Sequence, residues 1–168
     1  MKKNLVLLGM MGVGKTTLGK IVAKKLKLTF ADTDLSIEKS NLMSIKEIFK
    51  KKGEKFFRIE EEKEALKLLK QKNSIIALGG GAFMNKILRE NILKNNISIW
   101  LDADIKTLSN RIKWNQKRPL LEGNYTEKLK KIYADRKNIY KLADHRIQCD
   151  NLGKKDVIEK IITIYEKQ

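Results

Sequence analysis

Apolar positions along the chain gather into short runs at residues 5–8, 28–30, 75–78, 97–101 and 146–149. Between them, apolar side chains recur at helical spacing near 15–26, 35–51, 54–72, 85–94, 104–112, 125–141 and 154–166. The runs at 75–78 and 97–101, "SIIAL" and "ISIWL" with their flanking residues, are the clearest. Runs of four or five apolar residues suit strands buried on both faces, as in a parallel sheet. Strands alternating with helices predict an α/β fold, with helices on both faces of a five-stranded parallel sheet. The chain has no internal repeat, low-complexity tract or linker, and its length suits a single domain over 1–168.

In such sheets ligands bind beyond the C-terminal ends of the strands. The residues just after the runs are therefore the ones to read for chemistry. After the first run comes "GMMGVGKTT" (9–17), after the second "ADTD" with Asp32 and Asp34, after the third Gly79, Gly80 and Gly81, and after the fourth Asp102.

Gly9, Gly14, Lys15 and Thr16 fit G-x-x-x-x-G-K-[ST], the P-loop spacing, between a strand pattern and a helix pattern. Glycines bring backbone N–H groups close to an anion, and the next helix adds its positive end. Lys15 is placed to reach β- and γ-phosphates, and the Thr16 hydroxyl to join a Mg²⁺ shell. The bland alternative is a glycine-rich turn without a ligand. Asp32 and Asp34, read as extended chain, point the same way. One then holds Mg²⁺ through water, and the other takes a proton from a substrate hydroxyl. The alternative is that either aspartate caps a helix beginning at "DTDLSIEK". The triple glycine suggests close approach of a ligand to the backbone, or else a plain turn from strand to helix.

Composition narrows the function classes. The hydrophobic fraction is 42% and the charged fraction 34%, and no apolar run approaches the roughly 18 residues of a membrane span. The first residues, "MKKNLVLLGMMG", pass straight from a strand pattern into the P-loop without a cleavage site, so a cytoplasmic location is expected. Cys149 and His145 are the only cysteine and histidine, which excludes an internal disulfide and argues against a histidine metal site. The net charge of +17 raises the question of nucleic acid. Lysine supplies 31 of the 37 basic residues and is spread along solvated helix faces without interleaved aromatics. No specific nucleic-acid partner and no membrane partner are expected. Arginine is scarcer: Arg58, Arg89, Arg111, Arg118, Arg136 and Arg146 mark places where a planar two-pronged donor can be needed. Arg118 lies in the polar segment "NQKRPLLEGNY" (115–125), the best candidate for a mobile lid, taken as about 113–124.

Taken in order, "GMMGVGKTT", "DTD", "FFRIEE" (56–61), "LGGGA" (78–82), "KRPLL" (117–121) and "ADRKNIY" (134–140) resemble the shikimate kinases, small P-loop enzymes of aromatic amino-acid biosynthesis. The resemblance implies ATP-dependent phosphorylation of the 3-hydroxyl of shikimate by a monomer using Mg²⁺. It implies that Gly12, Val13, Gly14, Lys15, Thr16 and Thr17 hold ATP, with Arg111 against the adenine and Arg118 closing over the transferring phosphate. Thr16, and Asp32 through water, would hold the metal, and Asp34 would engage the reacting hydroxyl. Within a substrate segment of about 33–62, Arg58 would grip the substrate carboxylate together with Arg136. Gly80 would meet the ring hydroxyls, and Glu61 would orient Arg58. The segment 149–155, "CDNLGKK", matches no clear adenine-contacting pattern. Two other readings stay open here. One is a different small P-loop kinase, for gluconate or a nucleoside monophosphate; the other is a nucleotide-regulated nucleic-acid-binding protein.

Overall fold

A computed structural model describes residues 3–113 and 125–168. Five parallel strands form one sheet: β1 (Leu5–Leu8), β2 (Thr29–Asp32), β3 (Ser74–Ala77), β4 (Ile97–Asp102) and β5 (His145–Gln148), in the order β2-β3-β1-β4-β5. β1 is central. It pairs with β3 through Val6 opposite Ile76 and with β4 through Val6 opposite Ser98. The helices are α1 (Lys15–Leu26), α2 (Thr33–Asn41), α3 (Ile45–Leu69), α4 (Lys86–Asn95), α5 (Ile105–Lys113), α6 (Tyr125–Tyr140) and α7 (Lys154–Glu166). Every residue of β1, β3 and β4 is buried, and the last two of these are the strands whose apolar runs are clearest in the sequence.

Element boundaries shift by up to three residues from the sequence expectation, and two of the departures bear on the site. The stretch 35–51 is not one helix. It breaks at Leu42, in the left-handed region with φ 52°, and α3 restarts behind a capping box in which Ser44 and Glu47 bond each other's backbone N–H groups. The expected break near residue 53 is real, since Gly53 (φ 80°, ψ 170°) kinks α3 in mid-course. The second strand runs on from 30 to Asp32, because that residue still pairs with Ala77 of β3.

The hydrophobic interior is in two parts. The larger lies around the sheet and includes Leu5, Leu7, Ile75, Trp100, Leu101 and Tyr140. A smaller one joins α2 to α3 through Ile37, Ile48 and Phe57. Beside it, the buried carboxylate of Glu64 on α3 accepts hydrogen bonds from Ser36 (2.6 Å) and Ser40 (3.0 Å) of α2. That polar clasp fixes the two helices against each other.

Gly9 shows how tightly the sheet grips the phosphate loop. Its φ of 139° belongs to glycine, and a Cβ there would lie 2.3 Å from the backbone oxygen of Leu101. Gly9→Ala is expected to cost about 2 kcal/mol or more, seen as a lowered denaturation midpoint. An unchanged midpoint would show that the loop rests on the sheet less firmly than this contact implies.

Candidate active site

The loop 9–14 leaves β1 and delivers α1, whose N-cap is Gly14 with no side-chain cap and no acidic residue in the first turn. Its first N–H groups have no capping side chain, so they point to an anion. Lys15 Nζ folds back over the loop and donates to the carbonyls of Gly9 (2.8 Å) and Met10 (3.0 Å). A pocket of about 540 Å³ opens here, lined by Gly12, Val13, Gly14, Lys15, Thr16 and Thr17, with Asp32 and Asp34 at one side and Arg111 at the other.

Asp32 and Asp34 meet this pocket for a different reason from the one expected. They are not a pair on extended chain. Asp32 is the N-cap of α2 and accepts from the backbone N–H of Asp34 (3.0 Å) and Leu35 (3.2 Å), whereas Asp34 lies in the helix's first turn. The same Asp32 accepts from the Thr16 hydroxyl at 2.6 Å. The structure thus places a hydroxyl and a carboxylate oxygen together at the mouth of the loop. Hard oxygen donors of this kind suit Mg²⁺, which keeps waters and phosphates for the rest of its shell. Among the described residues, no group of three His, Cys, Asp or Glu side chains could hold a metal alone.

The glycine triplet beyond β3 draws the other side chains in. The buried Thr33 hydroxyl accepts from the N–H of Gly79 at 2.7 Å, which locks the start of α2 to the triplet. A Cβ on Gly79 would lie 2.8 Å from Asp34 Oδ1 and 2.9 Å from Glu61 Oε1. One on Gly80 would lie 3.2 Å from Arg136 Nη1, and one on Gly81 2.5 Å from Arg58 Nη1. The triplet is therefore the floor against which Asp34, Glu61, Arg58 and Arg136 converge, and side chains there would push them away. Arg136 comes from α6, whose Tyr140 hydroxyl donates to the carbonyl of Gly80. Burial pushes the Tyr140 phenol up to about 12, partly offset by Arg136, so it stays a donor.

Arg58 and Glu61 meet as the three-residue helical spacing predicts, with Nη1 2.7 Å from Oε2. The Glu61 side chain is only 5% exposed. Burial raises its pKa, with Arg58 opposing that shift and Asp34 adding to it. Burial also works against the charge on Arg58, but Glu61 and Glu54 outweigh it and push the guanidinium up. Both facts describe a carboxylate whose ionised form depends on the arginine beside it.

The remaining arginines divide. Arg111 donates to the carbonyl of Val13 (3.3 Å) at the pocket wall. Arg89 binds the carbonyls of Phe83 and Met84, which is a structural use. Arg146 pairs with Asp102 at 2.6 Å and lies over the Trp100 ring. Asp102, the carboxylate after the fourth run, is thus engaged inside the fold, where it also accepts from the Tyr133 hydroxyl. Arg118 and the segment 114–124 lie outside the described residues. Beside Arg111 the pocket is also lined by Cys149, Leu152, Lys154 and Val157, from a stretch in which the sequence shows no clear adenine-contacting pattern. They share no motif, and only the fold brings this β5–α7 stretch against the phosphate loop and Arg111.

The whole chain can be set beside known proteins. A family model described as shikimate kinase matches residues 11–166. A shikimate kinase of Sulfurihydrogenibium is 40% identical over 161 residues, covering 96% of each chain. The structure of shikimate kinase from Acinetobacter baumannii in complex with shikimate superposes with a TM-score of 0.94 at 31% identity, covering 99% of this chain and 94% of that one. That of Aquifex aeolicus shikimate kinase gives 0.84 at 29% identity, covering 97% and 96%. With a phosphate loop, two aspartates and two arginines gathered beyond the C-terminal ends of the strands, and these likenesses over nearly its full length, the chain belongs to the shikimate kinase family.

Proposed function

We propose that this chain transfers the γ-phosphoryl group of ATP to the 3-hydroxyl of shikimate. The observation that carries the reading is the convergence of Arg58 and Arg136, from helices far apart in sequence, on Gly79–Gly81 beside Asp34 and the phosphate loop. The N–H groups of the loop and α1 cradle the phosphates, and Lys15 leaves its two carbonyls to follow the γ-phosphate. Arg58 and Arg136 hold the substrate carboxylate, each as a charge-assisted donor. Asp34 accepts the proton of the hydroxyl as its oxygen attacks phosphorus and the bridging oxygen departs with ADP. Thr16, with Asp32 through water, would hold Mg²⁺, which neutralises phosphate charge when bound. Arg111, Leu152 and Val157 enclose the adenine end. Arg118 is assigned by resemblance to the transferring phosphate. The enzyme acts as a single-domain monomer in the cytoplasm. Among the described residues no helix is long and apolar enough to cross a membrane.

An ADP-release assay across shikimate, quinate, gluconate and nucleoside monophosphates tests the reading; turnover without dependence on shikimate sinks it. A sharper arm is Arg58→Lys. Lysine keeps the charge but loses the planar fork, so the Michaelis constant for shikimate should rise by the equivalent of about 1–3 kcal/mol. The constant for ATP should hardly move. If shikimate's constant is unchanged, Arg58 is only a helix-surface pair and the carboxylate is held elsewhere.

A further inference from the structure

Arg58 is already occupied on two sides. Nη1 donates to Glu61 at 2.7 Å, while Nη2 (3.0 Å) and Nε (3.3 Å) both donate to one oxygen of Glu54. Nε and Nη2 form the edge from which a guanidinium sends two parallel bonds to a carboxylate. The two glutamates differ in setting. The Glu61 side chain is 5% exposed, but that of Glu54 is 62% exposed. We propose that Glu54 is an internal stand-in for the substrate carboxylate: it fills the Nε/Nη2 fork of Arg58 in the free enzyme, and the arriving carboxylate displaces it. This rests on the reading that Arg58 grips the carboxylate of shikimate.

The local backbone puts Glu54 there. Gly53, at φ 80°, interrupts α3, and a Cβ at this position would meet nothing within 4 Å. Glycine is needed for the turn alone, not for space. The helix resumes at Glu54, four residues before Arg58, in the order of charges that favours a pair on one helix face. An exposed pair of this kind is weak and easily opened. Glu61 cannot yield in the same way, because its buried carboxylate would be left without its cation. Glu54 is therefore the partner that gives way. Its presence keeps the guanidinium in place while the site is free, and it opposes the substrate twice, as a rival acceptor and as a like charge nearby.

Competition and support predict opposite signs. Calorimetric titration of shikimate into the full chain should give a dissociation constant roughly two- to fivefold lower for Glu54→Gln and Glu54→Ala than for wild type. The carboxamide analogue of shikimate, which carries no charge for Glu54 to oppose, should change less, so preference for acid over amide widens. Thermal melting confirms that both variants fold, as expected for so exposed a side chain. An unchanged or raised dissociation constant for shikimate overturns the inference, since Glu54 would then only steady Arg58. A wild-type protein that binds no shikimate overturns the substrate reading and this inference with it.

Discussion

Lys15→Ala is expected to lower kcat by at least about 100-fold, the scale on which a single charge-stabilising donor acts in a water-poor site. The reason lies in what the ammonium does as the bond breaks. Negative charge spreads over the oxygens of the transferring group, and a point cation on a flexible stem can follow it. In this structure the cation donates to the carbonyls of Gly9 and Met10, within the loop itself. The variant should therefore still fold and bind adenine, with the loss concentrated in turnover. Rapid-quench measurement of shikimate-dependent ADP formation, with nucleotide binding measured separately, separates the two. Turnover near wild type would mean that the loop is a turn that happens to fit a motif.

Asp34→Asn should lose about 100-fold or more of kcat, because the amide keeps the shape but cannot take the hydroxyl proton. The structure makes this a clean test. From sequence alone Asp34 could have been the cap of α2, and its loss would then have unravelled the helix. The cap is Asp32, whose Oδ1 receives the N–H groups of Asp34 and Leu35, and those bonds use only the backbone at 34. The cap of α2 and ATP affinity should therefore hold while turnover falls. Full turnover in the variant would remove Asp34 from the chemistry. A fall in melting temperature matching the fall in rate would assign it a structural part instead.

What could be read from residues alone follows from how local the cause is. The phosphate loop was legible because strand, turn and helix are contiguous and each residue type has its own reason to be there. Arg58 and Glu61 were legible because three residues on a helix always face one way. The relation of Asp32 to Asp34 differs from the extended reading because two-residue periodicity does not carry past the end of the strand at Asp32, where a helix has begun. The start of α3 was missed although Ser44 and Glu47 carry the capping pattern, because the apolar periodicity ran through it unbroken. Glu54 carries an equally local signal, four residues ahead of Arg58. The meeting of Arg136 with Gly80, or of Cys149 with Arg111, has no local cause at all. It depends on the order of strands in the sheet.

The small core of Ile37, Ile48 and Phe57 bears on how such a protein can change over generations. The loop that grips phosphate rests on the sheet, where Gly9 touches the backbone of Leu101. The helices that present Arg58 and Asp34 rest largely on one another, through that separate core and the Ser36–Glu64–Ser40 clasp. Sites that share no packing partners respond to mutation almost independently. A lineage can therefore drift in the side chains of the small core, and so alter which acid it accepts, with its handling of ATP touched mainly where Asp32 at the head of α2 meets Thr16.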